Sequence, residues 1–216
     1  HVPSILPRQK ILENIGFPSA EEKAKMYENA YKKFTEAGYV AIGMDHFCRP
    51  NDEFYLALKN NQLHRNFQGY CTTKTTGQVY GFGASSISQL FSAYSQNVKN
   101  AAQYIKKINE KNTAVLRGYK LNKKEKIIRE VINSIMCNYY VDFSEVSEIF
   151  NTDLKEIKEI LDFKSEKFDD FLELNLMKIK NDTVSISQDA RLFIRNIAME
   201  FDPLLNKKIG TYSKTI

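Results

Sequence analysis

An amphipathic helix followed at once by a short apolar strand sets the fold class of this chain. Ser19 and Glu22 have the spacing of a helix-capping box, and apolar side chains then recur at helical intervals up to Gly38, a common helix stop. The run 39–44 is rich in β-forming residues, which predicts a buried strand. Because a helix and a strand in this order form half of a repeating β/α unit, we expect an α/β fold.

Two polar residues, Asp45 and His46, come directly after the predicted strand. In parallel α/β folds, and in β/α barrels especially, ligand sites collect at the edge where the strands end. We therefore expect Asp45 and His46 to lie at the edge of a ligand site. The alternative is structural: an aspartate that caps the next segment and a histidine that packs in a loop.

A longer polar run follows, His64-Arg65-Asn66-Phe67-Gln68-Gly69-Tyr70. It crowds aromatic, amide and charged side chains together without an apolar period. Since every buried polar atom needs a hydrogen-bond partner, core segments rarely hold so many. The run is therefore typical of a segment that binds a polar ligand, although a polar loop at the end of a strand has the same pattern.

Gly81 and Gly83 flank Phe82 and would permit close approach of a ligand to the backbone. The full dinucleotide fingerprint is absent, which excludes a nicotinamide site. Around this motif the sequence predicts a threonine-rich loop at 72–76, a strand at 78–82 and a short helix at 85–91.

From about residue 97, charged amphipathic helices replace the strands. The strongest has a cap at Asn122, an apolar stripe over 127–136 and a structural thiol, Cys137, at its end; the stretch 116–121 before it is predicted as a connector. A β-hairpin at 177–187 then closes a group of helices, as in a winged helix. The segment expected to be its recognition helix, 166–173, is acidic and would repel nucleic-acid phosphates.

Composition narrows the function classes. The chain has 216 residues and a formal net charge of +5, but its lysines are scattered among glutamates, so we expect no nucleic-acid partner. No apolar run approaches the length of a membrane span. The three cysteines, at 48, 71 and 137, have neither metal-site spacing nor the even count of a disulfide framework, which fits a cytoplasmic protein.

Four stretches, in this order, resemble the oxygen-independent coproporphyrinogen III oxidase family of radical SAM enzymes. The resemblance covers nearly the whole chain and predicts that it is the C-terminal half of such a protein. The matching stretches are Gly43-Met44-Asp45-His46-Phe47, the run from His64 to Tyr70, Gly81-Phe82-Gly83-Ala84-Ser85-Ser86-Ile87-Ser88 and Arg195-Asn196-Ile197.

The resemblance implies an architecture. Residues 1–100 would be the C-terminal part of a partial β/α barrel of the radical SAM type. Residues 101–216 would form a mostly α-helical, winged-helix-like domain whose small β-hairpin and helices cover the active site.

The resemblance also implies an activity. In this family a [4Fe-4S] cluster reductively cleaves S-adenosylmethionine, and the resulting radical starts the oxidative decarboxylation of two propionate side chains of coproporphyrinogen III to vinyl groups, which gives protoporphyrinogen IX in haem biosynthesis. The Cys-x-x-x-Cys-x-x-Cys triplet that holds the cluster is absent here. We therefore expect the ligands upstream of His1, no catalytic residue and no metal ligand in this chain, and no activity from the chain alone.

Phe67, Gln68 and Ile87 match family positions that contact S-adenosylmethionine. Phe67 and Ile87 can pack on adenine or ribose, and the Gln68 amide can donate and accept hydrogen bonds. We infer separately that Arg49, His64 and Arg65 bind the substrate carboxylates, because arginine offers a bidentate fork to a carboxylate.

The remaining expectations concern partners and alternatives. We expect an electron donor of unknown identity and a monomer. A related haem-trafficking paralogue without oxidase activity has the order of Arg and His swapped and a Trp nearby, whereas this chain has His64-Arg65 and no Trp. The other alternative is a non-enzymatic winged-helix module that binds protein or DNA.

Overall fold

The computed structural model describes residues 7–73 and 78–205. Three turns of 3-10 helix lie at Pro7–Lys10, Ser165–Phe168 and Gln188–Phe193. The α-helices of the described residues are α1 (Ile11–Ile15), α2 (Ala20–Glu36), α3 (Glu53–Lys59), α4 (Ala101–Lys111), α5 (Lys123–Asn138), α6 (Phe143–Phe150), α7 (Leu154–Ile160), α8 (Asp169–Glu173) and α9 (Ile194–Met199). The strands are β1 (Val40–Gly43), β2 (His46–Cys48), β3 (Leu63–Asn66), β4 (Gly69–Thr72), β5 (Ile87–Gln89), β6 (Ala93–Asn97), β7 (Val115–Lys120), β8 (Tyr140–Asp142), β9 (Met177–Lys180) and β10 (Thr183–Ile186).

The predicted helix–strand pair at the start is confirmed. The capping box of α2 is complete: the Glu22 N–H donates to Ser19 Oγ at 3.1 Å, and the Ser19 N–H donates to the Glu22 carboxylate at 2.7 Å. These two bonds satisfy backbone donors that the first turn of a helix otherwise leaves free. Strand β1 follows with three of its four residues buried.

The pairing of β1 differs from the expectation for a parallel sheet. Strands β1 and β2 form an antiparallel hairpin, so Asp45 lies in its turn and His46 opens β2. The physical reason is the connection: two residues can join antiparallel strands, whereas a parallel pair needs a crossover of a dozen residues or more. All strand pairs in residues 7–73 and 78–205 are antiparallel, so the mixed α/β content is confirmed but a partial barrel is not.

Helix α5 is the centre of the packing, as its apolar stripe predicts. Its residues Ile127, Val131 and Ile135 are fully buried in the larger core cluster, and Cys137 at its end is fully buried in a second, smaller cluster. The smaller cluster also takes in Ile42 of β1. One helix therefore supports both the hairpin at the start of the chain and the helices at its end.

Two local predictions near the middle of the chain are wrong. The stretch 85–91, predicted as a helix, contains β5, and the stretch 116–121, predicted as a connector, contains β7. Both strands pair with β6 and form one three-stranded sheet. Short, partly polar strands gain their stability from the neighbouring strand, so their own residues carry little signal. The predicted strand at 78–82 is reduced to a single bridge between Val79 and Gln89.

The predicted C-terminal hairpin is confirmed. Strands β9 and β10 pair around a turn at 181–182, and β8 adds to β10 to give a three-stranded sheet. The acidic stretch 166–173 forms a 3-10 turn and the short helix α8, directly before this hairpin. Thr75 and Thr76 of the predicted threonine-rich loop lie outside the described residues.

Candidate functional site

A cavity of about 410 Å³ opens between the β3–β4 hairpin, α5 and α9. Three guanidinium side chains line it, one from each of these elements: Arg65, Arg129 and Arg195. Apolar side chains, among them Met136 and Met199, line the rest. We call it the basic cavity. A cavity of this size with a few convergent polar groups is typical of a small-molecule site.

Met44 joins two of the arginines. Its sulfur accepts a hydrogen bond from Arg195 Nε at 3.2 Å and one from Arg65 Nη1 at 3.5 Å. The Met44 backbone is itself held in the turn, with φ at 44°, by Tyr27, whose hydroxyl donates to the Met44 carbonyl at 2.8 Å. A thioether is a weak, neutral acceptor. It therefore orients both guanidinium groups without neutralising their charge.

Arg129 is oriented by backbone carbonyls. Its Nη2 donates to the Phe91 carbonyl at 2.6 Å, and its Nη1 donates to the Leu90 carbonyl at 3.3 Å. None of the ion pairs formed by the described residues includes Arg65, Arg129 or Arg195. The basic cavity therefore holds three cations whose oriented partners are all neutral.

The residues predicted to contact S-adenosylmethionine lie beside this cavity. Phe67 and Gln68 form the turn between β3 and β4, and the Phe67 N–H donates to Gln89 Oε1 at 3.1 Å. Gln89 is 8% exposed, lines the basic cavity and lies two residues after Ile87 on β5. Because alternate strand residues share a face, this bond brings the β3–β4 turn close to Ile87. The Phe67 ring is 43% exposed and is free to cover a ligand.

The loop that precedes β5 is held by one amide. Asn97 Nδ2 donates to the carbonyls of Gly81 at 3.2 Å and Gly83 at 3.0 Å, and to Ser86 Oγ at 3.0 Å. A Cβ on Gly81 would lie 2.7 Å from the Ile87 carbonyl oxygen. The close approach at Gly81 is therefore made by β5 of the same chain, which accounts for this glycine without a ligand.

His64 lies on a different cavity, of about 390 Å³, which it shares with Glu130, Asp142 and Glu145. We call this the acidic cavity. Burial lowers the pKa of His64; the nearby Glu130 opposes this shift and Arg129 adds to it. His64 Nε2 is 3.4 Å from the Asn133 amide nitrogen. His64 is therefore suited to hydrogen bonding as a neutral imidazole at pH 7.

The other predicted residues lie outside the basic cavity. The Arg49 guanidinium stacks 4.4 Å above the Tyr39 ring, and His46 Nδ1 lies 3.0 Å from Asp45 Oδ1 in the β1–β2 hairpin. Only Arg65 of the three predicted carboxylate partners lines that cavity. Sequence reasoning missed Arg129 and Arg195. The matched stretch 195–197 was a signal for Arg195, whereas nothing in the sequence distinguishes Arg129 from other charged residues of α5.

The three cysteines do not fit an iron–sulfur cluster. Burial raises the pKa of the Cys137 thiol to about 12, and it also raises the pKa of Cys48 and Cys71. Cluster ligation needs converging thiolates. In the part of the chain that the structure describes, no three His, Cys, Asp or Glu side chains are grouped so that they could hold a metal ion. Over the same residues, no helix has both the length and the apolar character of a membrane span.

Comparison with known proteins confirms the resemblance. No protein-family model matches the chain. The oxygen-independent coproporphyrinogen III oxidase of Salmonella typhimurium is 35% identical over 209 residues, which cover 96% of this chain and 45% of the relative. The corresponding protein of Helicobacter pylori is 34% identical over 100% of this chain and 46% of its own length, and that of Thermostichus vulcanus is 33% identical over 100% and 66%.

A solved structure agrees. Coproporphyrinogen III oxidase from Escherichia coli, described as a radical SAM enzyme, superposes with a TM-score of 0.83 at 32% identity, over 94% of this chain and 46% of that one. The chain thus spans about half the length of most of these relatives. Over nearly its whole length, the chain is a homologue of the oxygen-independent coproporphyrinogen III oxidases, and it corresponds to about half of such a protein.

Proposed function

We propose that this chain is the C-terminal half of a radical SAM oxidoreductase that converts two propionate side chains of coproporphyrinogen III into vinyl groups and so makes protoporphyrinogen IX. One observation carries the proposal: the Phe67 N–H donates to Gln89, which lines the basic cavity, so the turn that contains Phe67 and Gln68 lies next to a cavity lined by three arginines. A cofactor and an anionic substrate would then meet at one place. The names of the homologues support the same reaction.

In this proposal Phe67 and Ile87 cover the adenosine part of S-adenosylmethionine, and the Gln68 amide forms hydrogen bonds with it. When bound, this cofactor supplies the radical chemistry that removes hydrogen from a propionate side chain. The [4Fe-4S] cluster would be held outside the described residues, because Cys48 and Cys137 are buried, Cys71 is half-buried, and the three thiols are not grouped as metal ligands.

The residues proposed to contact the substrate lie in different parts of the structure, so we give them different roles. Arg65 lines the basic cavity, where a carboxylate of coproporphyrinogen III could pair with it. His64 would act only as a hydrogen-bonding group, since its pKa is lowered. Arg49, Asp45 and His46 would contact substrate only at the site edge, from the β1–β2 hairpin.

We propose that the chain divides near residue 100, as the resemblance implies, except that β7 belongs with the first part. Residues 1–100 would complete a β/α barrel with the rest of the protein, and β7 would go with them because it pairs with β6. Residues 101–216 would cover the active site. The order α5, β8, α6, α7, α8, β9, β10, with β8 joined to β10, supports a winged-helix-like unit. We further propose a cytoplasmic monomer that needs an external electron donor.

The proposal is tested first by iron and labile sulfide per chain, after anaerobic reconstitution. We would compare this chain with the polypeptide from the complete reading frame. We expect iron only in the longer polypeptide, which should then cleave S-adenosylmethionine and consume coproporphyrinogen III. Cleavage without consumption of coproporphyrinogen III would favour the haem-trafficking alternative, and no iron in either polypeptide would exclude a radical SAM enzyme.

The cofactor contacts need their own test in the longer polypeptide. Phe67→Ala and Gln68→Ala should each weaken S-adenosylmethionine binding about tenfold or more, since each removes about 1.4 kcal/mol or more of contact. Phe193→Ala is the matched control, because Phe193 is also 43% exposed but belongs to the 3-10 turn Gln188–Phe193 and not to the β3–β4 turn. If all three variants bind S-adenosylmethionine with the same dissociation constant as the wild type, Phe67 and Gln68 do not contact this cofactor.

A further inference from the structure

We propose that Arg65, Arg129 and Arg195 together bind the carboxylates along one edge of a flat, amphipathic polycarboxylate in the basic cavity. This inference rests on the proposed function, which makes the ligand a tetrapyrrole with four carboxylates. It adds Arg129 and Arg195, to which no role has been given so far. It also separates the charge-binding arginines from His64, which lies on the acidic cavity.

No described residue forms an ion pair with any of the three arginines. Arg65 and Arg129 are half-buried, and a charge taken partly out of water needs an opposite charge or good hydrogen bonds. Their hydrogen-bond partners in the described residues are the Met44 sulfur, the carbonyls of Leu90 and Phe91 and the Tyr94 hydroxyl, and each guanidinium also lies over a tyrosine ring, so all of these partners are neutral. A ligand carboxylate would supply the missing negative charge.

Among the residues that the structure describes, one carboxylate lies on the wall of the basic cavity, and it does not supply this charge. Asp202 lines the cavity, but its Oδ1 accepts a hydrogen bond from the Leu204 N–H at 2.9 Å, and it forms no ion pair with a described residue. Three positive side chains therefore face one negative side chain that is engaged in its own turn. The net charge of the cavity wall remains positive.

The guanidinium groups of Arg195 and Arg65 are held in an orientation that suits a carboxylate. Arg195 uses Nε to reach the Met44 sulfur, and its two terminal nitrogens donate to no described residue. A guanidinium held at one corner in this way presents its free edge as a bidentate fork, the arrangement that matches a carboxylate. Because Arg65 donates to the same sulfur, the two guanidinium groups are held as neighbours.

Apolar side chains line much of the rest of the basic cavity. Ile132, Met136 and Met199 line the cavity beside the arginines. A small inorganic anion would gain nothing from these side chains, whereas the rings of a tetrapyrrole would bury apolar surface against them. The volume of about 410 Å³ suits one edge of such a ligand, with adjacent rings and their carboxylates. The chemistry therefore selects an amphipathic anion over a plain one.

The test is direct binding, which does not depend on turnover. Coproporphyrin III, the stable aromatic form of the substrate, would be titrated into the 216-residue chain and followed by fluorescence quenching. We expect Arg195→Gln and Arg129→Gln each to raise the dissociation constant about tenfold, and the double variant to raise it further. Arg195→Lys, which keeps the charge but loses the fork, should fall between. The tetramethyl ester of coproporphyrin III, a porphyrin with no free carboxylate, should bind more weakly than coproporphyrin III.

Arg117→Gln is the matched control. It removes the same charge from an exposed strand, where Arg117 bonds to Gln96 Oε1 at 2.6 Å, outside the basic cavity. Thermal unfolding would check every variant. Arg195 is exposed on α9, so its variants decide the matter if Arg129→Gln fails to fold. Equal dissociation constants for Arg195→Gln, Arg117→Gln and the wild type would overturn the inference, as would equal binding of the two porphyrins.

The two proposals fail differently. Arginine-dependent binding of coproporphyrin III, together with a complete polypeptide that does not cleave S-adenosylmethionine, would sustain the basic cavity and overturn the oxidase. Turnover in the complete polypeptide, with dissociation constants unchanged by the arginine substitutions, would sustain the oxidase and overturn the basic cavity.

Discussion

Arg195 Nε donates to the sulfur of Met44 at 3.2 Å, across 151 positions of sequence. The bond connects the last described helix with the turn of the first hairpin. A methionine at this point fixes the direction of the arginine while leaving its charge available, which an acidic residue would not do. The arrangement is therefore better explained by a ligand than by the stability of the fold alone.

Met44→Leu tests this relationship. Leucine fills a similar volume but offers no acceptor, so we expect the free energy of unfolding to change by less than about 1.5 kcal/mol. Arg65 and Arg195 would lose their common partner, and the dissociation constant for coproporphyrin III should rise several-fold in the fluorescence titration. Met26→Leu, at an exposed methionine of α2, is the control. An unchanged dissociation constant would mean that the sulfur does not orient the arginines.

Gly43→Ala should destabilise the protein. A Cβ at this position would lie 2.0 Å from the hydroxyl oxygen of Tyr70 and 2.7 Å from its ring carbon, and Tyr70 is buried. Overpacking of this kind typically costs about 1–3 kcal/mol, which urea unfolding would measure. Tyr70→Phe removes the nearer atom, so the double variant should recover part of the loss. Strictly additive effects would show that the two positions do not clash.

The stability of the protein should fall below about pH 6.5 because of His64. Burial lowers the pKa of its folded form, so the unfolded chain binds a proton first as the pH decreases. The free energy of unfolding is therefore complete above the unfolded pKa and decreases between that value and the folded one. His64→Gln should make the profile flatter in this window, while its difference from the wild type stays constant above about pH 7.5. Identical slopes below pH 6.5 would show that His64 does not carry this dependence.

Asn97→Asp should loosen the loop before β5. The Asn97 amide donates to three oxygen atoms, and an aspartate would set a negative charge against all of them. We expect faster amide hydrogen exchange over 81–88 and, in the longer polypeptide, weaker S-adenosylmethionine binding. Asn100→Asp is the control, because its side-chain oxygen accepts a bond at the N-terminus of α4, where a carboxylate is also favourable. Similar exchange in both variants would contradict the role given to Asn97.

The sequence predicted those elements whose signal is local. The capping box of α2, the apolar stripe of α5 and the turn between β9 and β10 each depend on residues within a few positions of one another, and all three are confirmed. Strands β5 and β7 depend on β6 and were missed. Their stability lies in pairing across the chain, which periodicity does not record.

For the candidate site, too, the sequence predicted local features but not the contacts between distant segments. His64 and Arg65 are adjacent in sequence and looked like partners, yet neighbouring residues of a strand point to opposite faces, so the two line different cavities. In the sequence, Arg129 cannot be distinguished from the other charged residues of an amphipathic helix. Only the structure shows that it donates to the carbonyls of Leu90 and Phe91, just before β6. Because the three arginines come from distant segments of the chain, no fixed spacing in the sequence could reveal the site.

The closing of the chain on itself has a consequence for its synthesis. Arg191 reaches the Ala41 carbonyl and Arg195 reaches Met44, so these two contacts of the β1–β2 hairpin form only when residues 191–195 are present. Contacts between such distant segments form after local helices and hairpins. On the ribosome these two contacts must therefore wait for nearly the whole of the described chain to emerge. Until then, a nascent chain lacks the α9 wall of the basic cavity and with it Arg195.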